Sequence, residues 1–487
     1  MRGMTHETSD QGADRWSRRR FLQTSVGGLA AAGLGGSLLS ACSSDGGDDR
    51  VSGGDDGSLA VKIGVIAPFS GPGAFIGDVV NRSFDAALAE VENRGGLAGF
   101  RPEIVKKDGS LFPSRALEVY QELVADPGII GVLWCGNPGI QEALSNIERD
   151  GVPLIAVFND LQSDGLLYPD GPRNVFQMIQ ADIQAMNLLG DYCKNDRGYD
   201  SVGLIFDTLT QSGTDATFEQ AMAEQGLTNA GIERFTIGDG DFGPQLQRLR
   251  DTNCDALFVW GLAEETELIA RALADLNAAY VDGATARGRE WHPHLMGSPG
   301  GLGEKAWAEQ AGSAARPGTL TTWYVGGLVT NPTHPIRDWA LRYNDVTVTG
   351  GEDAPANGMA ALLVAAEFAG STDREAIVDA LEQVEVTFAS PVSMSWTPER
   401  HHVLEQEDLV IISLERSDTE NPYELGAEFD DVLAEGYVGP VLLVDPTFEV
   451  NQEKHPEVMS EIAELSYGTS CERQETDEAR EACRATH

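Results

Sequence analysis

The pattern of apolar positions starts at Val61, in the stretch 61–77 that reads VKIGVIAPFSGPGAFIG. Apolar residues fill its first half, and the turn formers of 70–73 then interrupt the run before a helical pattern. This order predicts a buried parallel strand that leads through a glycine-rich turn into a helix. Such turns expose backbone N–H groups where ligands collect in α/β sheets, although an ordinary turn without a ligand is the alternative.

The same alternation of strand and helix patterns recurs along the chain in two blocks. The first block covers residues 61–158 and the second covers residues 183–277. Alternating β and α segments predict parallel sheets with right-handed crossovers. We therefore expect an α/β fold of two Rossmann-like lobes, each a parallel sheet flanked by helices, with a cleft between them.

The residues before Val61 carry an export pattern. Arg18, Arg19 and Arg20 stand before an apolar, alanine- and glycine-rich stretch at 26–39, which predicts a twin-arginine signal. The sequence LSAC that ends at Cys42 resembles a lipobox, so residues 1–41 are expected to be removed and Cys42 lipidated. Residues 42–60 then form a flexible tether to the outer face of the cytoplasmic membrane. A membrane anchor with a chance cysteine is the alternative, but the stretch is short for a span.

Composition excludes one large class of partner. The chain has 34 basic and 77 acidic residues, a formal charge of −43. Such a charge repels phosphate, so we expect no nucleic acid partner. The acidic, lysine-poor surface fits a high-salt habitat or a GC-rich genome equally well. Residues 451–487 form an acidic tail that is expected to lie outside the fold.

Export from the cytoplasm allows the cysteines to pair. Cys193 ends a helical run and Cys254 precedes a strand, which in a βα fold places both on the face opposite the cleft. We therefore predict a disulfide between them. Cys471 and Cys483 are expected to close a loop in the tail, and Cys135 is left over.

Motifs for catalysis or metal binding are weak. No Gly-x-Ser-x-Gly elbow, Walker loop or Gly-x-Gly-x-x-Gly follows a strand after the signal. His292, His294, His401 and His402 lack further ligands at metal spacing, and Cys135 has no evident histidine partner. We expect no enzyme activity, no cofactor and no metal; an exported α/β hydrolase is the less favoured alternative.

Several stretches together carry a family resemblance. The chain resembles the type I periplasmic binding proteins, specifically the leucine/isoleucine/valine-binding receptors of ABC importers, over roughly residues 61–450. The resemblance implies three crossings between the lobes, near Phe176, Gly297 and Ala389. Lobe I would then comprise 61–178 and 298–387, and lobe II 179–297 and 388–450. The stretches that carry it are 63–72 (IGVIAPFSGP), 93–99 (NRGGLAG), 206–207 with 212–213, 241–242, 255–261 (DALFVWG) and 357–385.

The resemblance also implies a function. Such receptors hold a small polar solute, here an amino acid or a related amine or amide, in the cleft between lobes joined by a three-strand hinge. The lobes close over the solute and present it to ABC permease subunits in the membrane. We expect a monomer anchored by lipid. A sensory module that signals to a membrane partner is the alternative.

The family implies charge recognition from lobe II. Its acidic side chains take the ligand ammonium, and the matching positions here are Asp182 and Glu265, with Glu264 as the alternative should the alignment shift by one residue. An ammonium group in a closed cleft needs such partners because an unpaired buried charge is unfavourable.

Lobe I departs from the family pattern. Clustered hydroxyls are replaced by Gly136 and Asn137 after one strand and by Asn159 and Asp160 after the next, and Asp160 would repel a ligand carboxylate unless it points away. Backbone N–H groups of 71–74 and 136–139 are expected to remain available. Ser212 and Ile76 stand where larger rings are common. These changes argue against a branched-chain amino acid.

Two tryptophans near strand ends are candidates for an aromatic box around an amine, although such residues also serve as core. Phe69 and Phe75 could extend the same wall. The predicted ligand-binding residues are Ser70, Phe75, Ile76, Trp134, Gly136, Asn137, Asn159, Asp160, Asp182, Asp207, Ser212, Trp260 and Glu265.

Overall fold

A computed structural model describes the chain over residues 59–93, 100–136, 138–281, 291–303, 307, 310–315, 318–324, 353–386, 394–416 and 438–442. Several predictions fall on residues outside these ranges. They concern the twin-arginine signal, the lipidation of Cys42, most of the tether, Asn137, the pair Cys471 and Cys483, and the acidic tail.

The first sheet is parallel throughout and has five strands in the order β2-β1-β3-β4-β5. Its β3 strand is buried at all six positions, as its unbroken apolar run requires for a strand covered on both faces. The strands are β1 Leu59–Ala67, β2 Phe100–Asp108, β3 Ile129–Trp134, β4 Leu154–Ala156 and β5 Val175–Gln177.

The second sheet has seven strands in the order β14-β13-β10-β9-β8-β6-β7, and a separate pair is formed by β11 and β12. Strands β6 to β10 run parallel to one another, and β13 and β14 complete the sheet in antiparallel pairing, with β13 beside β10. The strands are β6 Ser201–Asp207, β7 Thr228–Phe235, β8 Ala256–Trp260, β9 His294–Gly297, β10 Thr319–Tyr324, β11 Glu385–Val386, β12 Met394–Ser395, β13 Leu409–Arg416 and β14 Val438–Leu442.

Helices cover the faces of both sheets, and they follow the strands in the predicted alternation. They are α1 Ala74–Asn93, α2 Pro113–Val124, α3 Ile140–Asp150, α4 Asp182–Asp191, α5 Thr214–Glu224, α6 Gly243–Thr252, α7 Ala263–Val281, α8 Pro299–Leu302, α9 Asp353–Ala369 and α10 Arg374–Leu381. No helix in the described part of the chain combines the length and hydropathy that a membrane span needs. The predicted α/β class with two parallel-rich sheets is confirmed.

The sheets correct two of the predicted lobe boundaries. Strand β10 pairs with β9 and β13, so residues 319–324 lie in the second sheet, whereas 298–387 was assigned to lobe I. The reason is local: after β9 ends at Gly297, the chain returns at Thr319 to pair beside the same strand. Helix α9, by contrast, packs on the first sheet, where a Cβ at Gly131 would lie 2.6 Å from Leu362.

The third crossing also lies later than predicted. Residues 396–408, here called the crossover segment, follow β12 and stay against lobe I. The Gln177 N–H donates to the His401 carbonyl at 2.8 Å, and the Trp396 indole N–H donates to the Gln177 carbonyl at 3.0 Å. The chain therefore passes to lobe II only as it approaches β13, and not near Ala389, which is outside the described residues.

The predicted disulfide between Cys193 and Cys254 is wrong, because both thiols are free and buried. The Cys193 sulfur lies 3.6 Å from the Met296 sulfur, in the core cluster that contains Phe258. Cys254 packs in the other cluster, with Leu257. Successive residues of a strand point to opposite faces, so the second sheet separates the two thiols. Cys135 is likewise free and buried.

Candidate functional site

A cavity of about 410 Å³ lies between the two sheets. The residues that line it follow β1, β3, β4 and β5 of the first sheet and β6, β8 and β9 of the second. It therefore lies at the carboxyl ends of parallel strands from both lobes, where α/β folds bind ligands. Its volume falls within the range of roughly 300–1,000 Å³ that is typical of small-molecule sites.

More than half of the predicted binding residues line this cavity. They are Phe75, Ile76, Gly136, Asn159, Asp160, Asp182 and Ser212. The other described candidates, Ser70, Trp134, Asp207, Trp260 and Glu265, are absent from the lining.

The two tryptophans belong to the core, so the predicted aromatic box is wrong. Trp134 is 0% exposed and packs against Tyr120, with 6.0 Å between ring centroids. Trp260 is 0% exposed and stacks on Phe258 at the same separation. Both rings end buried parallel strands, and neither contributes to the lining of the cavity. The rings that do line it are Phe75, Phe158 and Trp323.

The other three candidates that do not line the cavity form hydrogen bonds that stabilise loops. The Ser70 hydroxyl donates to Asp108. The Asp207 carboxylate accepts from the N–H groups of Leu209 and Thr210 at 3.0 and 2.9 Å, and so shapes the 208–212 loop that lines the cavity. Glu265 is buried and accepts from the Gly238 N–H at 3.3 Å, and burial raises its pKa. The structure thus assigns Glu265 to the support of lobe II rather than to the cleft.

Two of the backbone donors expected for the ligand are already used within lobe I. The Gly136 N–H donates to the Asn159 Oδ1 at 3.0 Å, and the Ala74 N–H donates to the Gly71 carbonyl at 3.2 Å. Gly136 has φ +73°, and a Cβ there would lie 3.1 Å from Ile76. A branched aliphatic side chain at position 76 therefore fits where a larger ring would collide with this loop.

Three carboxyl groups meet in the cavity, where the loop after β4 approaches the start of α4: Asp160, Asp164 and Asp182. Asp160 Oδ2 accepts from the Asp182 N–H at 2.7 Å, and its Oδ1 accepts from the Ser163 N–H at 3.1 Å. The Ser163 hydroxyl oxygen accepts from the Ile183 N–H at 3.1 Å. Asp160 and Ser163 thus occupy N–H groups at the start of α4, so Asp160 is turned toward the helix N-terminus, where a negative charge is favoured.

The carboxyl groups perturb one another. Burial, followed by the charge of Asp160, raises the pKa of Asp182, and the indole of Trp260 lowers it. Burial raises the pKa of Asp160, against its bonds from Ser163. Burial and Asp160 raise the pKa of Asp164 to about 6, although its exposed side chain keeps contact with solvent. A nearby positive charge would favour the ionised forms of all three.

Several lining residues were not predicted from the sequence. Asp164 and Ser163 lie in the loop that joins β4 to β5, where no periodic pattern marked a function. Gln180 donates from Nε2 to the Thr322 hydroxyl at 2.8 Å and ties the loop after β5 to β10. The available signal was the long stretch between β4 and β5, which contains no helix and follows a strand end at the cleft. Within the described ranges, no group of three or more His, Cys, Asp or Glu side chains is arranged to hold a metal ion.

Comparison with known proteins gives consistent matches. A family model described as "Periplasmic binding protein" matches residues 60–415. A Leu/Ile/Val-binding protein homologue of Brucella melitensis is 26% identical over 326 residues, which covers 65% of this chain and 82% of the relative. A second such homologue, from Brucella abortus, is covered over 60% of its length.

Solved structures match in fold. A solute-binding protein of an ABC transporter from R. palustris, in complex with 4-hydroxybenzoate, gives a TM-score of 0.61 at 17% identity, covering 78% of this chain and 95% of the other. The branched-chain amino acid transporter substrate-binding protein LivJ of Streptococcus pneumoniae, in complex with isoleucine, gives 0.59 at 18% identity, covering 80% of this chain and 100% of the other.

Proposed function

Since the chain belongs to the periplasmic binding protein family, we propose that it is an extracytoplasmic receptor for a small polar solute. The solute would be an amino acid or a related amine or amide, bound between the lobes and delivered to an ABC permease. The observation that carries this proposal is the cavity lined by strand ends of both sheets. A solute that fills it contacts both lobes and so favours their closed arrangement.

The proposal includes the setting of the receptor. Export by the twin-arginine route and a lipid on Cys42 would hold a monomeric receptor at the outer face of the cytoplasmic membrane, with the tether giving it reach to the permease. The proposed role is binding and delivery without catalysis, in keeping with relatives that are named as binding proteins.

The lining favours an amine over an aromatic acid such as the 4-hydroxybenzoate of the R. palustris protein. Among the described lining residues there is no Lys, Arg or His to receive a carboxylate, whereas three carboxyl groups meet where the loop after β4 approaches α4. Burying the carboxylate of a benzoate beside them would be unfavourable because like charges in a cleft repel. An ammonium group finds its acceptors there.

Thermal unfolding of the purified protein across a ligand panel tests the proposal. The panel contains amino acids, their amides, polyamines and betaines. A ligand at 100 times its Kd stabilises the folded state by about 2.7 kcal/mol, which raises the melting temperature by a measurable amount. Hits are then titrated calorimetrically to establish one site per chain. A panel without a single stabilising member would contradict a solute receptor of this class.

A further inference from the structure

Every charged side chain among the described residues of the cleft lining is acidic. No lining residue in these ranges is basic. The N–H groups at the start of α4 already compensate the negative charge of Asp160, so this charge attracts a cationic ligand less strongly. The lining residues that carry a carboxyl group are Glu142, Asp160, Asp164, Asp182 and Asp353.

An independent observation points to the Asp182 carboxyl as the centre of this lining. The Trp260 side chain is 0% exposed, and its indole N–H has no hydrogen-bond partner within bonding geometry among the described residues. This N–H lies close enough to Asp182 to favour the ionised carboxylate. A buried donor without an acceptor is unfavourable because it has lost its hydrogen bond to water and gained none in return. A cation that keeps Asp182 ionised would give the indole a charged acceptor, which makes a stronger hydrogen bond than a neutral carboxyl group does.

We propose that the cleft selects a solute with a net positive charge, such as a diamine or a basic amino acid, whose ammonium group lies between Asp164 and Asp182. Its alkyl part would lie against the rings of Phe75, Phe158 and Trp323, because contact between alkyl and aromatic surfaces removes both from water. The inference rests on the proposed function of the cleft as the solute site.

The proposal predicts that protons are released when the ligand binds. Asp160, Asp164 and Asp182 bind protons more tightly than free carboxyl groups do. His402 of the crossover segment feels the charge of Asp160, but burial lowers the His402 pKa, so this imidazole adds little positive charge near neutral pH. An ammonium ligand favours the ionised carboxylates. Its binding near neutral pH therefore releases protons, and its affinity rises with pH.

Calorimetric titration with a matched ligand pair tests the inference. Lysine and norleucine have the same carbon chain and differ in the second ammonium group. We expect lysine to bind at least about tenfold more tightly, equivalent to 1.4 kcal/mol. Its binding heat should differ between buffers of high and low ionisation enthalpy, which reports the released protons. Putrescine, which lacks a carboxylate, should bind as well.

Variants assign the effect to the proposed carboxylates. Asp182→Asn and Asp164→Asn should each reduce the lysine preference over norleucine toward unity. Asp170→Asn removes the same charge from an exposed position outside the lining and should leave the preference unchanged. Thermal unfolding shows whether each variant is folded.

The outcomes separate two failures. Tighter binding of norleucine or leucine, or equal affinity for both members of the pair, would overturn the selection of cations. The proposed function as a solute receptor would still stand. Absence of binding by every member of the wider panel would overturn the proposed function itself, and this inference with it.

Discussion

Arg173 holds a buried carboxylate where lobe I meets the crossover segment. The Glu382 side chain is 4% exposed and accepts from the Arg173 Nε at 2.8 Å and from its terminal nitrogen at 2.5 Å. The His401 ring stands on the other side, with Nε2 at 3.2 Å from Glu382 and Nδ1 at 3.0 Å from the Val175 carbonyl. Arg173→Gln would leave the Glu382 charge with only the imidazole as a partner.

The size of the effect follows from the uneven burial of the pair. Removing one partner of a fully buried pair lowers the free energy of unfolding by about 3–5 kcal/mol, whereas exposed pairs contribute about 0–1 kcal/mol. The Arg173 side chain is 44% exposed, so water can partly replace the guanidinium. We therefore expect Arg173→Gln to lower the free energy of unfolding by about 2 kcal/mol.

Urea unfolding at pH 7, followed by the fluorescence of the buried tryptophans, measures this loss. Asp379→Asn is the matched control, because it removes the exposed partner of the same guanidinium and should change stability by less than about 0.5 kcal/mol. In the double variant Arg173→Gln, Glu382→Gln, the loss should be smaller than the sum of the single losses. Additive losses, or a single variant as stable as the native chain, would refute the account of the pair.

Three further predictions concern packing, pH and thiols. Gly131→Ala should lower the free energy of unfolding by about 1–3 kcal/mol in urea, because its Cβ would meet Leu362 at 2.6 Å; an unchanged midpoint would contradict this packing. The raised pKa of Asp182 means that the folded state holds a proton that the unfolded state releases, so this group weakens stability as the pH rises above 4. Without ligand, the melting temperature of Asp182→Asn minus that of the native chain should therefore increase from pH 5 to pH 8. A difference that stays constant over this range would count against the raised pKa. Alkylation of denatured, unreduced protein should label Cys193 and Cys254 fully, and a linked peptide would contradict their separation by the sheet.

The elements that could be predicted from the sequence are those with an unbroken physical signal. Strands β3 and β8 are apolar at every position because helices cover both of their faces, and such runs stand out from the polar loops around them. The carboxyl ends of these strands then predicted where a ligand site would lie. Asp160 and Asp182, which follow strand ends, were accordingly found at the cavity.

What the sequence could not predict depends on contacts between distant segments. Strand β10 looks like any buried strand, and only its pairing with β9 assigns it to the second sheet. Cys193 and Cys254 both lie next to strands of the second sheet, but the face of the sheet on which each thiol is buried depends on how the helices pack. Asp164 lies in an irregular loop without periodicity, so its place near Asp182 follows only from the three-dimensional arrangement of the loops.

A side-by-side calorimetric titration of the native protein and Asp182→Asn with the amine panel tests the central claim most directly. The account predicts saturable binding of one solute per native chain and at least a tenfold loss of affinity in the variant. Absence of binding by the native protein, or equal affinity in the variant, would contradict the assignment of the cleft between the two sheets as the solute site.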